Sequence, residues 1–225
     1  LALYMLSISN NDQTIDTDNA GGGSFDAIKN SLQINEIRNI ASYVWIWTAL
    51  MTVQWITAIN IVEDWSQNSE QRLRFFAIME QVISPLTLIV QLFFTNLIIK
   101  KIGIKNILLG YGILFCSAFI LYGLIPSIIS VGVVTVFLRV FEYGINKPTR
   151  ETIFSTFKKN DRYKSTVFID TFISRFGDLS GSGFIAIGKL TSIAANSLPL
   201  IAIPIAGFLS ILGIRISRNI NTKDL

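Results

Sequence analysis

The chain has 225 residues, 51% of them hydrophobic and 15% charged, with a net charge of +4. Soluble domains usually carry about 25% charged residues, so the composition argues against a soluble enzyme or a nucleic-acid binder and for a membrane protein. One cysteine and no histidine exclude an internal disulfide and any Cys/His metal site.

The opening nine residues, LALYMLSIS, read as the tail of an earlier apolar helix and lack the basic region and cleavage site of a signal peptide. An N-terminal part is therefore expected to precede the chain. The polar, Gly-rich NNDQTIDTDNAGGGS completes residues 1–24 as a flexible linker. Residues 25–39 place Phe25, Ile28, Leu32 and Ile34 near one helical face, which predicts an amphipathic helix lying at the membrane interface.

Residues 40–215 hold six uncharged or nearly uncharged runs, each close to the roughly 20 residues needed to cross a bilayer as helix. The first, 40–62, carries Trp45, Trp47 and Trp55, read as interfacial anchors or, alternatively, as stacking surfaces, with Gln54 and Asn60 as cavity-facing residues. The second, 75–99, contains Glu80 and Pro85. Glu80 is either a substrate or proton ligand, or a carboxylate near the interface paired with Arg72 or Arg74. The third, 107–124, has Gly110, Gly112 and Gly123, which permit close helix approach. The fourth, 127–147, carries Arg139 and Glu142, and Pro148 is expected to end it and start a separate short helix with Arg150 and Glu151 in its first turn. The fifth, 166–187, carries Asp170, Arg175 and Asp178 among glycines. The sixth, 196–214, is interrupted by Pro199 and Pro204, and residues 216–225 form a polar tail.

Loop charge gives the orientation. With the segment before the first span on the cytoplasmic side, fourteen of the nineteen Lys and Arg residues fall on that side. Three (Arg72, Arg74 and Lys189) fall opposite, and Arg139 and Arg175 lie within spans. That bias predicts six spans with both ends cytoplasmic.

Ionisable residues at membrane depth are costly, on the order of 2.5–3.5 kcal/mol each on insertion scales, and usually face a cavity or a partner. Arg139, Glu142, Asn146 and Arg150 share one helical face, so Arg139 and Glu142 are expected to form a local ion pair. Such a pair either neutralises itself against a neighbouring helix or is competed for by substrate or proton. Arg175 is expected to pair with Asp178, three residues on, and Asp170 with Lys164 or Arg150. No residue set has the form of a hydrolase triad, a phosphate-binding loop or a metal cluster, so neither enzymatic activity nor a cofactor is expected.

The stretches RVFEYGINKPTRETIF and YKSTVFIDTFISRFGDLSGS resemble the nucleotide (ATP/ADP) translocase family and its bacterial major-facilitator-type relatives. The matching positions are Arg139, Glu142, Tyr143, Pro148, Arg150, Glu151 and Phe154, then Tyr163, Lys164, Ile169 and Asp170, then Arg175, Gly177 and Asp178. Thr166 and Asp178 stand where nucleotide exchangers carry Lys. The loop NLIIKKIGIK keeps Lys101, Gly103 and Lys105 of the superfamily's signature between second and third spans, with Lys100 in place of its acidic residue. The resemblance implies an all-α membrane protein, the C-terminal six-helix half of a twelve-helix secondary transporter in a bacterial-type inner membrane, partnered by an N-terminal half of the same chain. It implies exchange of nucleotides, with Arg139, Arg150, Lys164 and Arg175 as phosphate or gating contacts and Glu142, Asp170 and Asp178 as their partners or proton carriers; Glu80 stays a substrate-binding or gating candidate from its own position in the second run. Two other readings of the residues stay open: a proton-coupled carrier of another solute, and a membrane scaffold that transports nothing.

Overall fold

The structure, a computed structural model, describes residues 35–157, 159–193 and 197–221. The expected linker, most of the interfacial helix and the end of the tail lie outside these residues. Everything described is helical or a short connection, and no strand occurs among the described residues.

Six helices follow in order: α1 (Asn35–Trp65), α2 (Ser69–Ile102), α3 (Ile104–Leu124), α4 (Ile128–Ser155), α5 (159–190) and α6 (Leu198–Asn221). All except α5 contain a stretch long and apolar enough to cross a membrane, the mark of a multi-pass membrane protein. In α5, Asp170, Arg175 and Asp178 interrupt the apolar run. Residues 35–39, assigned from the sequence to the interfacial helix, form the first turns of α1.

The connections explain why neighbouring helices reverse direction. Asn68 caps α2 by accepting from the Glu70 amide at 2.9 Å, and Ser127 and Ser130 cap α4 reciprocally. Between α2 and α3 the joint is a single residue, Gly103, at φ 80°, a left-handed value that strains any side chain.

α1 is the central element. Ile37, Val44, Leu50, Ala58 and Val62 lie on its buried face, against α4, α5 and α6. Small residues set the close crossings. A Cβ at Gly177 of α5 would stand 2.6 Å from the Trp45 carbonyl of α1, and one at Gly112 of α3 would stand 2.7 Å from the Ser210 amide of α6. Gln54 of α1 donates to Tyr122 of α3 at 2.9 Å and Thr135 of α4 at 3.1 Å, so it is a buried tie of three helices as well as part of the lining of a hollow. α2 is the outlying helix: it leans mainly on α4 and turns Leu73, Leu88, Leu92 and Phe93 outward.

Three of the helices contain a five-residue π turn: Val90–Phe94 in α2, Glu142–Asn146 in α4 and Ile169–Ile173 in α5. The turn in α4 corrects the expectation that Pro148 separates two helices. α4 runs through Pro148 without a break. Proline at 148 has no N–H to give the Gly144 carbonyl, and the π turn just before it shifts the hydrogen-bond register. α2 supplies donors at its own π turn: Gln91 Nε2, within the turn, donates to the Tyr143 carbonyl at 2.9 Å, and Thr95 Oγ1, just after it, to the Gly144 carbonyl at 2.5 Å. Freed carbonyls satisfied by a neighbouring helix let a proline persist within a span.

Candidate functional site

Arg139 and Glu142 lie at the C-terminal end of the first segment of α4, where the π turn begins. The expected Arg139–Glu142 pair does not form. Arg139 instead forms an ion pair with Glu80 of α2, 59 positions away in sequence. Arg72 and Arg74 are thus not the partners of Glu80. The physical reason is access: Glu80 is half-exposed beside α4, whereas the Glu142 carboxylate turns inward and the residue is 8% exposed.

Arg139 sits where two open hollows meet. Met51, Thr52, Gln54 and Trp55 of α1 line the first with Arg139 and Tyr143, at about 260 Å³. Glu80, Ser84, Thr87 and Gln91 of α2 line the second with the same Arg139 and Tyr143, at about 480 Å³. The Tyr143 ring lies 5.9 Å from the Arg139 guanidinium, close enough for a cation–π contact. Trp55 borders the groove and packs on Phe76 of α2 at 5.3 Å.

A second polar cluster lies inside the bundle. Arg150, 6% exposed, pairs with Asp170 of α5 at 3.0 Å, one of the two partners expected for Asp170, and its guanidinium lies 5.4 Å from the Trp47 ring. Trp47 is therefore no interfacial anchor: its Nε1–H donates to the Tyr111 hydroxyl of α3 at 2.8 Å. Tyr111 stacks on Phe141 at 5.4 Å. Tyr43 donates toward Asn146 at 3.3 Å. Glu142 lies in this cluster beside Tyr111, within the field of Arg139, Arg150 and Lys147. Its Oε2 and the Nε of Arg150 are buried without a hydrogen-bond partner among the described residues.

Asp178 forms a third point. Arg175 donates to it at 3.4 Å, as the spacing predicted, and Thr52 of α1 donates to it at 3.0 Å. Thr52 also lines the first hollow, so Asp178 stands behind the groove wall. Arg175 is largely exposed. Lys164 is half-buried on α5 and makes no ion pair with a described residue.

The structure thus brings Glu80, Arg139, Glu142, Arg150 and Asp170 into one chain of charges across α2, α4 and α5. It sets Asp178 and Arg175 apart on α5 and leaves Lys164 outside. Sequence reading missed Thr52, Tyr111, Gln91 and Thr95. Each acts across a helix crossing, and only their polarity within apolar runs marks them in the sequence.

No protein-family model, no curated protein and no solved structure matches the chain.

Proposed function

We propose that the chain is the six-helix half of a secondary active transporter of the ATP:ADP antiporter type, with a second six-helix unit closing the groove between α1, α2 and α4. The observation that carries this reading is the Arg139–Glu80 ion pair. It joins two helices at the meeting point of two open hollows. An ion pair in that position is costly as mere packing and useful as a gate. An anionic substrate group reaching Arg139 competes with Glu80, and the contact between α2 and α4 then changes with occupancy. Trp55 and Tyr143 flank the same cation with aromatic surface, which suits a ring-bearing anion such as a nucleotide. The motif resemblance around Arg139 and Asp170 supports the same class.

The test is exchange in proteoliposomes: labelled ATP outside, ADP inside, with the full chain reconstituted. Arg139→Gln removes the cation and keeps length. Apparent affinity should fall by about one to two decades, the loss of one charge-assisted contact. Wild-type protein that exchanges no nucleotide, yet takes up another solute under an imposed pH gradient, would replace this reading with proton-coupled carriage.

A further inference from the structure

The charges gathered along α4 do not balance. Two guanidiniums, Arg139 and Arg150, meet three carboxylates, Glu80, Glu142 and Asp170. Arg139 takes Glu80 and Arg150 takes Asp170. Glu142 is left over, 8% exposed, with Oε2 unpartnered among the described residues.

Its surroundings offer one neutral donor, the Tyr111 hydroxyl, and, among the described residues, no buried cation that is not already paired. From α1 come Tyr43, whose hydroxyl points to Asn146 and the Leu108 carbonyl, and Trp47, whose N–H is committed to Tyr111. From α3 comes Tyr111, whose hydroxyl is within hydrogen-bonding reach of Glu142 but leaves Oε2 unpartnered, and from α2 Glu80, which holds Arg139. From α5 comes Asp170, which holds Arg150. On α4 itself Lys147 and Tyr143 are exposed, and Lys147 acts on Glu142 only through its field. An ionised carboxylate in this place has to be neutralised by a proton or has to draw a cation away from another carboxylate.

Arg139 is the cation free to move. It is three residues before Glu142 on the same helix, and its side chain is 24% exposed against 7% for Arg150, which is enclosed beside Trp47. Glu80, if released, is 49% exposed and rehydrates in the groove. We propose that Glu142 is a proton-binding site whose occupancy decides which carboxylate holds Arg139. With the proton on Oε2, Arg139 pairs with Glu80 and latches α2 to α4. With the proton lost to water in the groove, Arg139 turns to Glu142 and the latch opens. The step forms or breaks one O–H bond and exchanges one ion pair for another; nothing is oxidised or reduced. It builds on the reading of Arg139 as the gating cation, but needs no substrate.

The experiment is infrared difference spectroscopy of the full chain in lipid nanodiscs across a pH titration. A protonated-carboxyl band should vanish as pH rises, and Glu142→Gln should remove it. Glu80→Gln frees Arg139 for Glu142, so proton affinity there should fall roughly tenfold or more. A nitroxide at Ser84→Cys in a Cys116→Ser chain should gain mobility as pH rises and lose that pH dependence in Glu142→Gln. A band that survives Glu142→Gln, a titration point unmoved by Glu80→Gln, or a nitroxide that still follows pH in Glu142→Gln overturns the proposal. None of these readouts involves nucleotide, so a negative exchange assay and a negative titration are separate failures.

Discussion

At the scale of single residues, the two arginines of α4 do different work although their sequence contexts look alike. Arg139 is partly exposed and pairs with a half-exposed carboxylate, and such pairs contribute at most about 1 kcal/mol to stability. Arg150 is enclosed, bonds Asp170 at 3.0 Å and covers the Trp47 ring. Arg150→Gln should therefore destabilise the fold by roughly 1.5–3 kcal/mol, the worth of a hydrogen bond to a charged group. Thermal unfolding in detergent should show a clear drop in Tm for Arg150→Gln and almost none for Arg139→Gln. Equal drops would mean that both pairs are structural. Which residues carry charge at depth was legible in the sequence, as were the pairings of Arg175 with Asp178 and, as one of two options, Asp170 with Arg150. The partner of Arg139 was not. The spacing of three between Arg139 and Glu142 permits a local pair, and nothing in a linear sequence shows that α2 crosses α4 with Glu80 at the contact.

At the scale of elements, glycines and π turns decide how the helices meet. On α5, a Cβ at Gly181 would run into the Ala49 carbonyl and stand 2.9 Å from Thr52 Cβ on α1. Backbone cannot step aside as a side chain can, so Gly181→Ala should cost about 1–3 kcal/mol, and Gly110→Ala, which meets nothing within 4 Å, should cost far less. Denaturation midpoints of the two variants check this. Glycines in the third run pointed to close helix approach in advance, and Gly112 there does meet α6 closely. The π turns did not show: their cause is a shift of hydrogen-bond register, and no residue type demands it. Pro148 suggested a break because a proline normally ends its helix, yet donors from α2 made a continuous helix possible.

At the scale of the molecule, the five helices long and apolar enough to cross a membrane were legible from hydropathy, because each of those runs is bounded by charge or proline. The fifth run, broken by Asp170, Arg175 and Asp178, forms a helix among the described residues without reaching that length of apolar sequence. What hydropathy left open was their arrangement: α1 at the centre, α2 at the edge, and a groove between them with Arg139 at its base. The sidedness predicted from the fourteen-to-three distribution of basic loop residues has a direct check. In a Cys116→Ser chain, Arg72→Cys and Arg162→Cys should react with an impermeant thiol reagent from opposite sides of sealed vesicles. Reaction of both from one side would break the six-span arrangement.

The bond from Thr95 to the Gly144 carbonyl has a consequence for how this sequence can change over generations. Thr95→Val alone leaves a buried carbonyl without its donor and should cost about 1–3 kcal/mol. With Pro148→Ala already present, residue 148 has an amide again, and relaxation of the π turn from its i→i−5 register to the ordinary i→i−4 one would give that amide to the same carbonyl. The second substitution should then cost much less than the first did alone, a departure from additivity that a double-mutant cycle measures. The order of events matters: a lineage that loses the proline first keeps a usable protein and may then drop the threonine, whereas the reverse path passes through a weakened intermediate. Positions 95 and 148, 53 residues apart, are therefore coupled, and descendants of this chain should be found with both, with the threonine alone or with neither, but not with the proline alone.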